Sequence, residues 1–315
     1  LILIIFFGSF IYVYIYSKCF GRKEIINTAK TIASNETNSK IILNKLADWL
    51  KEYMRYDTRM IYFYPFPPFL LCRMIHPDPT WVMVVRRGGC EEYAILFAEM
   101  ARCVGIQSRV VYNPGEDHTW CEVLINGSWI HFDPMLPRER RFNNPGFYER
   151  SKTEGGWGKQ LSYVFFIGPD GKSYDITNRY TSVGRLIIQI KKDNIPMKNA
   201  RVIIKSRFLM ETNPKYKKPL TCLYKYTNES GLCSFLLGGN NYTVIVEFGK
   251  FMSYRGEFIV NLNENETISL TLNLIRPSIF FQLKKSLSLI AICSLLLIVT
   301  IFLKYWKVER QSSFM

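Results

Sequence analysis

Apolar residues are arranged in several different ways along this chain of 315 residues, and each arrangement implies a different kind of element. Residues 1–17 are almost wholly apolar, and so are residues 287–303, which have Lys284 and Lys285 before them and Lys304, Lys307 and Arg310 after them. Both runs lie near the lower limit of roughly 17–25 residues for a bilayer-spanning helix. They predict terminal transmembrane helices over 1–17 and 286–304, with a short basic tail over 305–315. No small-residue cleavage site follows Ile15 and Tyr16, so 1–17 reads as a retained signal anchor. Between Cys90 and Cys103 the pattern is helical: Tyr93, Leu96, Phe97 and Met100 fall on one stripe, and Gly105 supplies the stop. Residues 109–112, 118–125 and 129–132 alternate in polarity, separated by Asn113-Pro114-Gly115 and Asn126-Gly127. This predicts strand, loop, strand, hairpin turn and strand. The expectation is an α+β domain over 24–182, in which the helix packs on an antiparallel sheet. From 183 to 275 short alternating runs at 186–190, 200–204, 222–226, 232–236, 242–248, 256–262 and 267–274 predict an all-β sandwich. Within it, 206–218 reads as an exposed loop carrying Asn213-Pro214 and three lysines.

Composition changes this picture little. Hydrophobic residues make up 48% of the chain, which suits a membrane-tethered globular protein of two domains. The net charge of +15 is spread over the whole length. That fits a solvated surface facing anionic headgroups, with the bilayer as a partner; no basic and aromatic module is present, so nucleic acid is not an expected partner. Topology from flanking charge is ambiguous, since Lys18, Arg22 and Lys23 would place the middle region inside. The sequons at Asn35, Asn126, Asn228, Asn241 and Asn265 favour the exterior, so the expected location is the cell membrane with both domains facing out. The eight cysteines form no disulfide framework. Cys222 and Cys233 either pair across a hairpin outside the cell or are small apolar residues.

Candidate chemistry lies in Cys90, His118 and Asp133. A nucleophilic cysteine needs a base, and the imidazole needs a carboxylate to fix its tautomer. Gly88-Gly89 turns the chain into the predicted helix, so Cys90 opens it at the positive end of the dipole, where a thiolate is favoured. Adjacent strands bring His118 beside Asp133. Cys103 and Cys121 sit in apolar patterns and read as core, His76 in a loop without ligand companions, and His131 as a structural histidine on the same strand face as Asp133.

The segment from about residue 46 to 134 resembles the transglutaminase-like cysteine hydrolase core. The resemblance rests on a Gly-x-Cys helix start at Cys90, His118-Thr119-Trp120-Cys121-Glu122-Val123, Trp129 and Asp133-Pro134. Within that superfamily it is most similar to peptide:N-glycanase, because Tyr148-Glu149, residues 156–164 with Gly156-Trp157-Gly158-Lys159, and residues 175–180 look like that family's downstream signature. The resemblance implies a papain/transglutaminase-like core, catalytic roles for Cys90, His118 and Asp133, and substrate contacts at Trp120, Glu122 and Trp157. It implies attack on the side-chain amide of a glycosylated asparagine in an N-glycosylated polypeptide. Two features depart from the family. Cys90-Glu91-Glu92-Tyr93-Ala94 stands where Cys-Gly-Glu-Trp-Ala is typical, and the paired CxxC motifs that hold a structural zinc are absent, so neither metal nor cofactor is expected. The region from 227 to 242 looks like the carboxypeptidase-regulatory or transthyretin-like module, expected here as a spacer. Two alternatives stay open: a transglutaminase-like protease or cross-linking acyltransferase, and an inactive surface binding module of the same fold.

Overall fold

A computed structural model describes residues 15–57, 78–249 and 254–273. Both predicted membrane spans, apart from residues 15–17, lie outside the described residues, as do Cys72 and His76. Among the described residues no helix is long and apolar enough to cross a membrane.

Among the described residues, the first half is built on four α-helices and a five-stranded sheet. Helices α1 (Arg22–Ala33) and α2 (Ser39–Tyr53) pack together. Asn38 caps α2 by accepting from the Lys40 and Ile41 N–H groups. The buried stripe Ile42, Leu43, Leu46, Ala47 and Leu50 turns α2 toward the core. Strand β1 (Arg55–Tyr56) lies parallel to β2 (Arg87–Gly88), and helix α3 (Pro79–Val85) starts at the Asp78 cap with Pro79 in its first turn. Arg86, left-handed at φ 52°, ends α3 and leads into β2. Helix α4 (Cys90–Cys103) follows and is buried on nearly every side.

Helix α4 lies on strands β3 (Ser108–Asn113) and β4 (His118–Ile125), beside β5 (Ser128–Phe132). Strands β6 (Phe165–Ile167) and β7 (Ser173–Asp175), which the polarity pattern does not reveal, complete a five-stranded sheet ordered β5-β4-β3-β6-β7. Phe97 stacks on Phe132 at 4.5 Å between ring centres, and the Cys121 thiol donates to the Ala94 carbonyl at 3.2 Å. Cys121 is thus a core residue, held between sheet and helix.

The second half is a two-sheet β structure. Its strands are β8 (Val183–Lys192), β9 (Ile195–Pro196), β10 (Arg201–Ser206), β11 (Leu220–Tyr226), β12 (Leu232–Gly238), β13 (Asn240–Phe248), β14 (Tyr254–Leu262) and β15 (Thr267–Asn273). One sheet runs β11-β10-β13-β14, the other β12-β8-β15 with β9 on β8. Alternation supplies the core: Leu186, Ile188 and Ile190 of β8 face Val202, Ile204, Val244 and Val246 of the other sheet. Cys222 and Cys233 are both free and buried. The hairpin disulfide does not form because β11 pairs β10 while β12 pairs β8, which sends the two thiols into different sheets. The 206–218 segment also differs from the expected exposed loop: it contains helix α5 (Phe208–Thr212) and folds back on the first half.

Candidate active site

Cys90 is the first residue of α4. Its position is fixed by the Glu92 carboxylate, which reaches back to accept the Gly89 N–H at 2.8 Å. A side chain at Gly88 would strike Glu92, so the turn needs glycine there. Tyr56 lies opposite Gly88 across the parallel bridge, which brings a phenol close enough to Cys90 for the two to interact electrostatically.

His118 opens β4, and Asp133 follows the end of β5. The His118 Nε2 and Asp133 Oδ2 atoms are 2.9 Å apart. An ionised carboxylate only accepts, so Nε2 carries the proton and Nδ1 keeps the lone pair that can act as a base. Asp133 is fully buried and receives two more donors, Tyr148 Oη–H at 3.0 Å and the Met135 N–H at 2.8 Å. Burial pushes its carboxyl up, but His118, His131 and the Met135 amide outweigh this and hold it below the usual range. Burial dominates at His118 and lowers its imidazole from the ordinary value, with Asp133 opposing.

A second imidazole stands behind this pair. His131 Nδ1 accepts the Asn144 N–H at 3.3 Å, so Nε2 holds its proton and donates to Tyr148 Oη at 2.7 Å. The chain of donors His131, Tyr148, Asp133 is therefore directional and ends on the carboxylate that orients His118. Burial brings His131 down to about 4, so the relay is neutral up to Asp133. The loop after Asp133 is tied down by Arg141, which is 1% exposed: its Nε donates to the Leu136 carbonyl at 2.9 Å and its guanidinium pairs with Asp48 at 2.7 Å.

The Cys90 thiol is near the Thr119 N–H, and among the described residues no hydrogen bond joins it to His118. Enclosure pushes the thiol up to about 12, with Asp117 adding to the rise and Lys159 opposing it. Desolvation is thus the largest influence on the thiol and acts against the thiolate. Burial disfavours the charged form of both the Cys90 thiol and the His118 imidazole. Lys159 donates to the Glu116 carbonyl at 2.7 Å and lies 5.1 Å from the centre of the Trp157 ring.

Two of the three expected substrate contacts are fully buried. Trp120 is fully buried, with Tyr148 at 4.7 Å and Tyr180 at 5.0 Å between ring centres. Glu122 is also fully buried and holds Arg109, Arg179 at 2.9 Å and Tyr180 Oη at 2.9 Å. Both lie on the His118 face of β4, and Trp120 stacks against the His118 ring at 5.7 Å between ring centres. Trp157 is half-buried and meets His118 edge-on at 4.7 Å, where a substrate could touch it. The sequence reading assigned no role to Tyr56, Tyr148, Lys159 or Tyr216. Tyr148 and Lys159 stood in its quoted downstream segment, whereas nothing marked Tyr216 among its lysines. An open groove lined by Gln160, Asn240, Asn241, Asn261, Asn263 and Glu264 contains none of Cys90, His118 and Asp133.

Part of the chain is similar to known proteins. Residues 26–134 match the family described as the transglutaminase-like superfamily. Among curated relatives, the peptide-N(4)-(N-acetyl-beta-glucosaminyl)asparagine amidase of Yarrowia lipolytica is 35% identical over 131 residues, which is 41% of this chain and 33% of that protein. The protein of the same name from Saccharomyces cerevisiae is 33% identical over 121 residues, 38% of this chain and 31% of its own. That of Arabidopsis thaliana is 36% identical over 106 residues, 33% of this chain and 13% of its own. The matches span a third or less of the length of these relatives. Residues 26–134 are a transglutaminase-like domain, similar in sequence to proteins named as peptide-N-glycanase amidases.

Proposed function

We propose that this protein is a cysteine amidohydrolase that releases N-linked glycans from polypeptides, with Cys90 as nucleophile, His118 as base and acid, and Asp133 as the orienting carboxylate. The observation that carries the reading is the His118 tautomer: a buried carboxylate 2.9 Å from Nε2 leaves Nδ1 free to take a thiol proton. Similarity to the named amidases supports the choice of substrate.

Burial favours the protonated thiol, and in this reading attack and proton transfer belong to one event. As Cys90 Sγ bonds to the side-chain amide carbon of a glycosylated asparagine, its proton passes to His118 Nδ1, and Asp133 stabilises the imidazolium. The N-terminal end of α4 faces the developing oxyanion with its backbone amides. Collapse of the tetrahedral adduct breaks the C–N bond, and His118 returns the proton to the leaving glycosylamine. Water, deprotonated by His118, then hydrolyses the thioester, leaving aspartate in the polypeptide and the thiol on Cys90. The apolar runs at 1–17 and 287–303 would anchor the enzyme in the cell membrane with the catalytic half on the outer side.

The test is mass spectrometry of an N-glycosylated peptide after incubation with the protein. Conversion of the modified asparagine to aspartate with release of intact glycan, lost in Cys90→Ala, is the expected result. Backbone cleavage or amide exchange with a lysine donor would move the reading to a protease or a cross-linking enzyme, and an inert peptide beside an unreactive Cys90 to a binding module.

A further inference from the structure

The turn that delivers His118 to the site is not held by the first half alone. It runs from Asn113 through a short 3-10 segment, Pro114–Glu116, to Asp117, which is left-handed at φ 53° and ψ 53°. Such a conformation is strained for most side chains and tolerated by Asp and Asn. Glu116 is fully buried and its carboxylate is saturated. Oε2 accepts Asn113 Nδ2 at 2.7 Å and the Ser162 N–H and Oγ–H at 2.9 Å each, while Oε1 accepts Ser206 Oγ–H at 2.7 Å. Ser206 ends β10 and is itself bonded by Asn240 Nδ2 at 3.1 Å. Gly115 approaches so closely that a side chain there would strike Ser162 and Cys222. Beyond this knot, the 206–218 segment curls forward. Asn213 turns the chain by accepting the Lys215 N–H on its side chain at 3.1 Å and the Tyr216 N–H on its carbonyl at 3.0 Å. Tyr216 Oη then donates to Asp117 Oδ2 at 2.5 Å.

We propose that the β-sandwich is a working part of the catalytic centre, in which Ser206 and Tyr216 fix the turn that carries His118 and Tyr216 acts as a positioning residue on Asp117, the residue before His118. This rests on Cys90 being the nucleophile of the proposed reaction, though its test needs no glycan substrate. The bond couples the two halves chemically as well as mechanically. Asp117 is the charged neighbour that most opposes ionisation of Cys90, and Tyr216 is close enough to Cys90 and Tyr56 to interact with both. A phenol donating to Asp117 draws its charge away from the thiol, so losing that donor makes Cys90 harder to ionise. The other charged groups bearing on the thiol are Asp133, which adds to the effect of Asp117, and Lys159, which opposes it.

The experiment follows carbamidomethylation of Cys90 by peptide mass spectrometry as pH is raised, in the full chain and in Tyr216→Phe, Asp117→Asn and the double variant. Protection of Cys121, buried in the core, reports that each variant is folded. Asparagine keeps the left-handed turn while removing the charge. In Tyr216→Phe, labelling at neutral pH should slow by about 3- to 10-fold, the effect of one charge-assisted hydrogen bond discounted for partial exposure, and its midpoint should move up in pH. In Asp117→Asn the midpoint should move down, and adding Tyr216→Phe should then change nothing further. An unchanged Cys90 profile in Tyr216→Phe, or the same shift with and without the Asp117 charge, would overturn the proposal. If the coupling is found but no glycopeptide is processed, it is the substrate reading that fails.

Discussion

The two halves of this protein are both rich in β structure, yet they bury different things. Among the described residues of the first half, Glu92, Glu99, Glu116, His118, Glu122, His131, Asp133 and Arg141 are all buried. In the second half the buried polar residues are Ser206, Thr227, Asn240 and Thr243, and none of the described ones is charged. Burying a charge costs several kcal/mol unless partners compensate. Each buried charge of the first half accordingly has such partners: Glu122 holds two arginines and a phenol, Arg141 holds Asp48, and Asp133 receives an imidazole, a phenol and an amide. The second half needs no such arrangement, because alternation alone fills its core. Among the described residues, the only buried carboxylate it touches is Glu116, two residues before His118.

This contrast can be broken most sharply at Asp133. Asp133→Asn keeps the shape but presents an amide N–H or a neutral oxygen to His118 Nε2; in the first case the imidazole proton moves to Nδ1 and the base is lost. Turnover of a glycopeptide should fall by about 10⁴-fold, the size of loss when the orienting Asp of a Ser-His-Asp triad is so changed, with the melting temperature little altered. The next effect is on packing. Phe97→Ala empties the space against Phe132 and should destabilise the fold by about 3–5 kcal/mol in chemical denaturation.

Acid comes third. His118 and His131 are both lowered by burial, so the unfolded chain takes up protons near 6.5 while the folded one does not. Stability should therefore fall as pH drops from 6.5 towards about 4, by about 3 kcal/mol for His131. The carboxylate adds its own loss lower still, since Asp133 is held below 3.8 and its contribution goes as pH falls through the folded value. The acid limb of glycopeptide turnover should likewise lie below 6.5, because His118 stays an unprotonated base there. A limb above that value would count against a buried, neutral imidazole.

Tyr148→Phe is smaller. It removes the donor to Asp133 and leaves the His131 Nε2–H without its acceptor, costing about 1–3 kcal/mol of stability and lowering turnover about tenfold. In the second half, Ile188→Val should cost only about 0.5–1.5 kcal/mol and leave turnover per folded molecule unchanged. Denaturation and turnover measured together would show whether the halves differ as the buried charges imply.

Where the fold could be read in advance, one face of an element was apolar and the other was not. The strands after Val183 met that condition, and the Asn126-Gly127 turn marked the hairpin. Strand β4 was found where expected, but it is buried on both faces through Val123. Its Cys121 face meets α4, while the face shared by His118, Trp120 and Glu122 is covered by Tyr148, Trp157 and Tyr180. Alternation cannot say which face of such a strand lines a cleft, and the expectation that Trp120 and Glu122 meet substrate came from the family resemblance alone. The residue types of Cys90, His118 and Asp133 identified the chemistry, but the protonation of the thiol depends on enclosure, which no local pattern records. Tyr216 was invisible for another reason: its partner is 99 positions away in the chain.

The central claim is that Cys90 forms the acyl intermediate, and a rapid-quench experiment tests it most directly. The protein is mixed with an N-glycosylated peptide, stopped in acid during the first turnover, digested, and the peptide containing Cys90 is weighed. The account predicts a fraction carrying the substrate peptide without its glycan, joined as a thioester that hydroxylamine removes, and absent in Cys90→Ala. Glycan release with Cys90 unmodified throughout, or with the acyl group on another residue, would contradict it.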